Sequence, residues 1–318
     1  MFDSRFGLLI PQRGVSFGLG ALDELLGLAV LAEESGVLSS VWVGDSLTAQ
    51  PRPDALALLG SLTATTSRVR LGTACMASFP LRDPAQLAGQ WATLDHLSGG
   101  RMVLGACTGL VPGGQSAAEG AHWGVADGER AARLEEGVEI CRALWRGGPV
   151  DFTGRFRSYR GLAMEPVPAQ EPCPVLIAAN PWDPAYVERA LRRVARLGDG
   201  WMTASSWPGL FEGLWERLRP MLPDPGAFPV VAVHNINIGA DREECLAETG
   251  RFIAAHEGEG EVPREMVTAW TAAGPPERCA RDLRALLAKG VTHVVIRLTS
   301  WHQRDQLDRL LSEVLPLV

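Results

Sequence analysis

Lysine is almost absent from this chain, and several other common signals are missing as well. Lys289 is the only lysine, so arginine supplies nearly all of the positive charge. The net charge is −7 and no basic stripe is visible, which argues against a nucleic-acid partner. The six cysteines stand singly, without a C-x-x-C or C-x-x-H pair. The sequence therefore predicts neither a zinc site nor a disulfide framework.

Targeting and membrane signals are missing too. Residues 1–12 show no charged segment followed by an apolar core, so they do not resemble a secretory signal peptide. No apolar run reaches membrane-spanning length. We expect a cytoplasmic protein that has no membrane among its partners. The composition, 46% hydrophobic and 21% charged, suits a soluble protein with a large core.

Short apolar runs alternate with helical patterns along most of the chain. Residues 69–107 show the unit most clearly, with an apolar strand, a helix at 84–97 and a second apolar strand. This order is typical of a βαβ unit in a parallel sheet. Eight strands are predicted in all, at residues 6–10, 41–43, 69–74, 102–107, 175–179, 200–203, 228–238 and 291–298.

Eight strands alternating with helices predict an α/β fold, the (β/α)8 TIM barrel. A doubly wound open sheet is the alternative, but Pro11-Gln-Arg-Gly14 stands where its G-x-G-x-x-G turn belongs. We expect one barrel domain over residues 1–318, with an insertion at 149–173 after the fourth helix. Residues 111–128 and 257–274 lack clear periodicity and are expected to be mobile loop segments.

The C-terminal ends of the strands are where a barrel of this kind has its active site. These ends carry no metal-ligand cluster and no nucleophile–base pair, and small residues dominate them. Small residues leave room for a large planar ligand, which points to a cofactor that carries the chemistry. The strand ends with this character include Asp45, Ala74, Cys75, Met76, Ala77, Thr108, Gly109, Ala178, Ala179, Asn180, Thr203 and Ala204.

Three polar residues are candidates for catalytic roles, and each also has a structural reading. Asp45 follows the second strand and is either an ordinary turn aspartate or a site residue. His122 belongs either to a surface pair with Trp123 or to a lid over the cofactor. His234, on the seventh strand, is either a core histidine or a proton-transfer group.

Several motifs together make the chain similar to the luciferase-like monooxygenase superfamily. That superfamily includes bacterial luciferase, flavin-dependent monooxygenases and hydride-transferring enzymes that use the deazaflavin coenzyme F420. The match covers roughly residues 5–205, and its most specific piece is LDHLSGGR followed by LG-x-x-TG. The other matching motifs are VWVGDS, RVRLGTACM, VDFTGRFRSYRG and PVLIAAN…RLGDGWM.

The resemblance implies a (β/α)8 barrel with an insertion, F420 or FMN bound in the barrel mouth, and a homodimer. In the deazaflavin branch it gives Asp45 a contact with the ring system. It also implies a cis peptide bond between Ala74 and Cys75 behind the ring. Ser46 stands where the deazaflavin branch often has a histidine. Leu110 replaces the glutamate that acts as an acid in the sugar-phosphate dehydrogenases of that branch, which argues against that activity.

Three functions remain open at this stage. The first is F420-dependent hydride transfer to or from a small organic substrate. The second is an FMN-dependent monooxygenase that uses oxygen. The third is a barrel that has lost its cofactor, since several of the family's residues are replaced. A cofactor-free hydrolase or aldolase is disfavoured because Lys289 lies on an outer helix and no nucleophile–base pair is visible.

Overall fold

The computed structural model describes residues 1–109, 114–181, 183–204, 207–257 and 260–318. The strands there are β1 Phe6–Ile10, β2 Ser40–Asp45, β3 Arg70–Met76, β4 Met102–Ala106, β5 Val150–Thr153, β6 Ser158–Leu162, β7 Val175–Ala178, β8 Gly200–Ala204, β9 Val230–Ile238, β10 Thr271–Gly274 and β11 His293–Leu298. The helices are α1 Leu22–Glu34, α2 Ala55–Thr65, α3 Pro84–Ser98, α4 Gly114–His122, α5 Arg130–Trp145, α6 Pro184–Leu197, α7 Leu210–Leu218, α8 Arg242–Glu257, α9 Arg264–Ala269, α10 Pro276–Ala288 and α11 Gln303–Arg309.

Eight parallel strands close into a barrel, which confirms the predicted TIM-barrel fold. Around the barrel the order is β1, β2, β3, β4, β7, β8, β9 and β11. Closure comes from β11, which pairs with β1 through Phe6 and Val294, and from β9, which pairs with both β8 and β11. The short strand β10 adds to the edge of β9 outside this ring of strands.

Aspartates begin several of the surrounding helices. Asp54 accepts the N–H groups of Leu56 and Ala57 at the start of α2. The pairs Asp83-Pro84 and Asp183-Pro184 begin α3 and α6 in the same way, with the aspartate as cap and the proline at the first helical position. The largest hydrophobic cluster among the described residues lies between the outer side of the barrel and these helices. No helix within the described residues is long and apolar enough to span a membrane.

Large side chains fill the lower half of the barrel interior. Seven strands each contribute one buried residue to this layer, namely Leu9, Trp42, Val103, Leu176, Met202, Val231 and Val295. The eighth strand contributes Gly72, where an added Cβ would lie 2.5 Å from Trp42 Cζ3 and 2.5 Å from the Val103 carbonyl oxygen. The missing side chain of Gly72 is therefore what gives the Trp42 ring its space.

A short polar chain closes the barrel beneath Trp42. Trp42 Nε1 donates to Ser40 Oγ over 2.7 Å, and that hydroxyl contacts His293 Nε2 at 2.7 Å. His293 Nδ1 lies 3.0 Å from the Ser4 carbonyl, and the ring of Phe2 stacks on the imidazole. Burial lowers the pKa of His293 to about 4. The histidine is a neutral structural group at the N-terminal end of the barrel.

Two segments differ from the sequence-based prediction, at residues 114–122 and 257–274. Residues 114–122, predicted as loop, form α4, so the insertion at 149–173 follows the fifth helix rather than the fourth. The insertion itself carries the antiparallel pair β5–β6. Residues 257–274, also predicted as a loop segment, contain α9 and β10. Residues 110–113 of the first predicted loop, and 258–259 of the second, lie outside the described residues.

Replacing Gly72 with alanine should destabilise the protein by about 1–3 kcal/mol, because the new Cβ overlaps Trp42 and the β4 backbone. The matched control is Gly89→Ala within α3, where an added Cβ has nothing within 4 Å and should stabilise the helix by up to about 1 kcal/mol. Chemical denaturation measures both free energies of unfolding. Equal stabilities for the two variants would contradict this packing.

The buried His293 should make the protein less stable in acid. Its pKa is lowered from 6.5 to about 4. Between these pH values His293 is protonated in the unfolded chain but stays neutral in the folded chain. Stability then falls as the pH drops from about 6.5 towards 4, by about 2 kcal/mol between pH 7 and 5. Unfolding of wild type and His293→Gln across this range tests the point. Parallel pH profiles for the two proteins would contradict it.

Candidate active site

The upper half of the barrel interior is lined by small residues. Successive residues of a strand alternate between the two faces, so positions two further along from the interior layer also face inward. On the arc from β2 to β8 these inward positions hold only glycine and alanine, namely Gly44, Ala74, Gly105, Ala178 and Ala204. Cys75 packs against the same interior layer, and Cys107 lies two residues beyond Gly105. The strand ends on this arc therefore form an apolar wall at the C-terminal end of the barrel, which is called the mouth here.

The end of β3 departs from regular geometry at the predicted position. The peptide bond between Ala74 and Cys75 is cis, which confirms the prediction for this bond. The register between β3 and β4 shifts over the same residues, from Gly72 to Met76. Cys75 also contacts Cys107 on the neighbouring strand. That hydrogen bond, together with burial, raises the pKa of Cys75 well above its usual value, so the thiol is protonated.

Asp45 at the end of β2 stabilises the turn that follows this irregular strand end. Its Oδ2 accepts the backbone N–H of Ser78 over 2.7 Å, and its Oδ1 lies 3.3 Å from Arg82 Nη2. The same guanidinium also pairs with Asp54. The Asp45 side chain is almost fully buried. Its carboxylate is thus directed at the turn after β3, which begins at Ala77 and follows the last strand residue, Met76.

The ends of β7 and β8 are joined by one side chain. Asn180 Oδ1 accepts the Thr203 hydroxyl at 2.6 Å and the backbone N–H of Ala204 at 2.7 Å. The carbonyl of Ala179 accepts Trp201 Nε1. The structure therefore brings these predicted residues together at one edge of the mouth, next to Ala178.

The end of β4 contacts the start of α5, and the segment after β2 contacts α4, a helix that the sequence did not predict. Glu119 on α4 receives hydrogen bonds from the segment that follows Asp45, while Arg130 Nη1 lies 3.4 Å from the carbonyl of Thr108. Gly109 has φ of +100°, and an added Cβ there would meet Arg130 Nη1 at 2.6 Å. Thr108 and Gly109 are thus held against Arg130 at the start of α5, and Arg130 is bonded in turn to the Ser116 carbonyl of α4.

The opposite arc of the mouth is polar, and the prediction missed it. Asn235 faces inward beside Arg297, whose Nε donates to Asn235 Oδ1 over 2.7 Å. The guanidinium carbon of Arg297 lies 4.5 Å from the ring centroid of Trp270. Gln12 Nε2 donates to the Gly44 carbonyl over 2.6 Å. Arg297 lies two residues beyond Val295, which the structure places in the interior layer, so Arg297 also faces inward.

Two predicted catalytic histidines do not lie in the mouth. His122 is on the exposed face of α4, opposite the buried face formed by Ser116, Glu119 and Gly120. His234 lies between inward-facing Val233 and Asn235, so it faces the helices. Burial and then the charge of Lys289 lower the pKa of His234 to about 4. These placements correct the expectation that either histidine lies at the mouth.

The described residues contain no cluster of metal-ligating side chains. A cavity of about 680 Å³ lies between α7 and α9, lined in part by Trp207, Glu212, Arg264 and Lys289. It contains none of the predicted site residues. The mouth remains the place where fold and predicted site coincide.

The small-residue wall and the irregular end of β3 lie at the end of a (β/α)8 barrel where the sequence motifs predict them. Residues 4–293 match the family model described as luciferase-like monooxygenase. The chain belongs to that family, as its sequence motifs predict.

Individual relatives are similar along nearly the whole chain. The F420-dependent glucose-6-phosphate dehydrogenase of Nocardia farcinica (strain IFM 10152) is 31% identical, over 92% of this chain and 93% of that protein. An F420-dependent secondary alcohol dehydrogenase, in complex with an F420-acetone adduct, has a TM-score of 0.79 at 18% identity, over 99% of both chains. The oxygenating constituent of 3,6-diketocamphane monooxygenase from Pseudomonas putida, in complex with FMN, has a TM-score of 0.71 at 15% identity, over 100% and 99%.

Asp45→Ala should lower the free energy of unfolding by about 2 kcal/mol and also weaken ligand binding at the mouth. The substitution leaves the buried N–H of Ser78 without its acceptor and removes one partner of Arg82. The control is Asp54→Ala, which removes the other partner of Arg82 at an exposed helix start. Thermal unfolding and ligand titration measure the effects. An unchanged melting temperature for Asp45→Ala would show that its carboxylate does not support the turn.

Proposed function

We propose that the protein is an oxidoreductase that binds F420 in the barrel mouth and transfers hydride to or from a small organic substrate. The observation that carries this proposal is the continuous wall of small residues from β2 to β8. Such a wall fits one face of a flat tricyclic ring. Support also comes from the name of the Nocardia farcinica relative, an F420-dependent dehydrogenase at 31% identity.

The residues of the mouth fit a ring that is apolar on its faces and polar at its edges. Bound F420 supplies the hydride acceptor and donor of the reaction. The backbone of Ala74 and Cys75, with Ala178 and Ala204, would cover a ring face. Asn235 Nδ2 is buried and has no hydrogen-bond partner among the described residues, so it is available to a carbonyl oxygen. Asp45 would act indirectly, by holding the turn at Met76 and Ala77.

We propose that the substrate is not a sugar phosphate. Leu110 stands where that activity calls for a glutamate, and Ser46 stands where the deazaflavin branch often has a histidine. Ser46 is buried and bonded to Glu119, while Leu110 lies outside the described residues. Nor do His122 and His234 reach the mouth. The proton that accompanies hydride transfer must then come from another group or from solvent.

An FMN-dependent monooxygenase is the second candidate. Its support is the fold shared with the Pseudomonas putida monooxygenase, whose structure contains FMN. A barrel that has lost its cofactor is the third candidate, since Pro181 follows Asn180 and offers no N–H to a phosphate. The cofactor preference separates all three.

We also propose that the enzyme is a cytoplasmic homodimer. The family resemblance supports the dimer. All six cysteines are free thiols, which is typical of a reducing compartment. Analytical ultracentrifugation of the purified protein tests the oligomeric state.

Titration with oxidised F420 and with FMN should give a dissociation constant at or below roughly the micromolar range for F420, and a weaker one for FMN. Fluorescence of each cofactor reports binding. Ala178→Leu should weaken binding at least tenfold, since its larger side chain enters the mouth. Ala285→Leu, on the exposed side of α10, is the control and should bind normally.

Each alternative has its own outcome in this titration. Tight binding of FMN with no response to F420 would replace the proposal with the monooxygenase. Absence of binding to either cofactor would favour the non-catalytic barrel. Equal binding by wild type and Ala178→Leu would show that the ligand lies elsewhere.

A further inference from the structure

Glu119 is a buried carboxylate that organises the segment after β2. Its Oε1 accepts the backbone N–H groups of Leu47, Thr48 and Ala49 at 2.8, 2.8 and 3.1 Å, and the Ser46 hydroxyl at 3.1 Å. The side chain is only 2% exposed. These donors begin one residue after Asp45, so α4 is bonded directly to the end of β2.

The carboxylate of Glu119 is kept ionised by these donors. Burial acts to raise its pKa, but the N–H groups of Thr48, Ala49 and Leu47 and the Ser46 hydroxyl outweigh it, and the net pKa is lowered. Its other oxygen lies 3.9 Å from Arg130 Nη2, which is also buried. The buried face of α4 therefore carries a charged hydrogen-bond acceptor, the Glu119 carboxylate.

Arg130 extends the same network to the end of β4. Its Nη2 donates to the Ser116 carbonyl over 2.6 Å, which holds α4 from a second side. Its Nη1 lies 3.4 Å from the carbonyl of Thr108, and its guanidinium packs against Gly109. One pair of charges thus joins α4 to the ends of two strands, β2 and β4.

We propose that Glu119 is a positioning residue for the cofactor. This inference rests on the proposed function, because both strand ends that it fixes belong to the predicted cofactor site. Without its charge, the three N–H groups share a neutral and weaker acceptor, and the ion pair with Arg130 is lost, so α4 is bonded less firmly to the β2 end. The mouth then has to be ordered by the ligand itself, which weakens binding without removing any contact to the ligand.

The chain contains a matched control for this role. Glu33 at the end of α1 accepts the backbone N–H groups of Ser67, Arg68 and Val69 at distances of 2.7–3.0 Å, and it too is buried. Those residues precede β3, at the opposite end of the barrel. Glu33→Gln therefore disturbs an equivalent carboxylate without touching the mouth.

The experiment compares wild type, Glu119→Gln and Glu33→Gln in cofactor titrations, thermal unfolding and amide hydrogen exchange. Both variants should lose thermal stability to a similar degree. Only Glu119→Gln should raise the dissociation constant for F420, by roughly tenfold, and speed exchange at residues 47–49 and in α4. Glu33→Gln should speed exchange at residues 67–69 and bind F420 normally.

The outcomes separate this inference from the proposed function. If wild type binds F420 or FMN and Glu119→Gln binds it equally well, Glu119 is only structural and the inference fails alone. If both variants weaken binding equally, the effect is one of general stability and the inference also fails. If wild type binds neither cofactor, the proposed function fails and the inference falls with it. If Glu119→Gln does not fold, Glu119→Asp is used in its place and judged by the same comparison.

Discussion

The filling of the barrel interior is the constraint on which the rest of the structure depends. Trp42 occupies the lower interior because Gly72 has no side chain, and six apolar residues from other strands complete that layer. Two residues further along, the inward positions from β2 to β8 are small. The same eight strands thus make a packed core at one end and an open mouth at the other. Stability and ligand binding are divided between the two ends of the barrel.

Carboxylates that each accept several backbone N–H groups then fix irregular segments of the chain. Glu33 collects backbone N–H groups ahead of β3, Glu119 does so after β2, and Glu136 does so in the insertion at Arg155, Phe156 and Arg157. Each one replaces the regular hydrogen bonds that an irregular segment lacks. Only Glu119 lies at the mouth. Loop order and site geometry are therefore coupled at one side chain of α4.

The barrel and much of its mouth could be predicted because the strands are apolar runs closed by small or turn residues. The helix α4 could not be predicted, since its buried face consists of Ser116, Glu119 and Gly120 and shows no apolar periodicity. The orientation of His234 was hidden for a different reason. Nearly every residue of β9 is buried, so the sequence of that strand does not distinguish its inner face from its outer face. The polar arc of Asn235 and Arg297 was obscured in the same way.

The central claim is that the small-residue wall at the end of β3 and its neighbours holds the ring of F420. A crystal structure of the protein with F420 tests this most directly. The account predicts that the ring lies against the backbone of Ala74 and Cys75, with its edge towards Asn235. A ring bound instead in the cavity between α7 and α9, near Trp207 and Arg264, would contradict it.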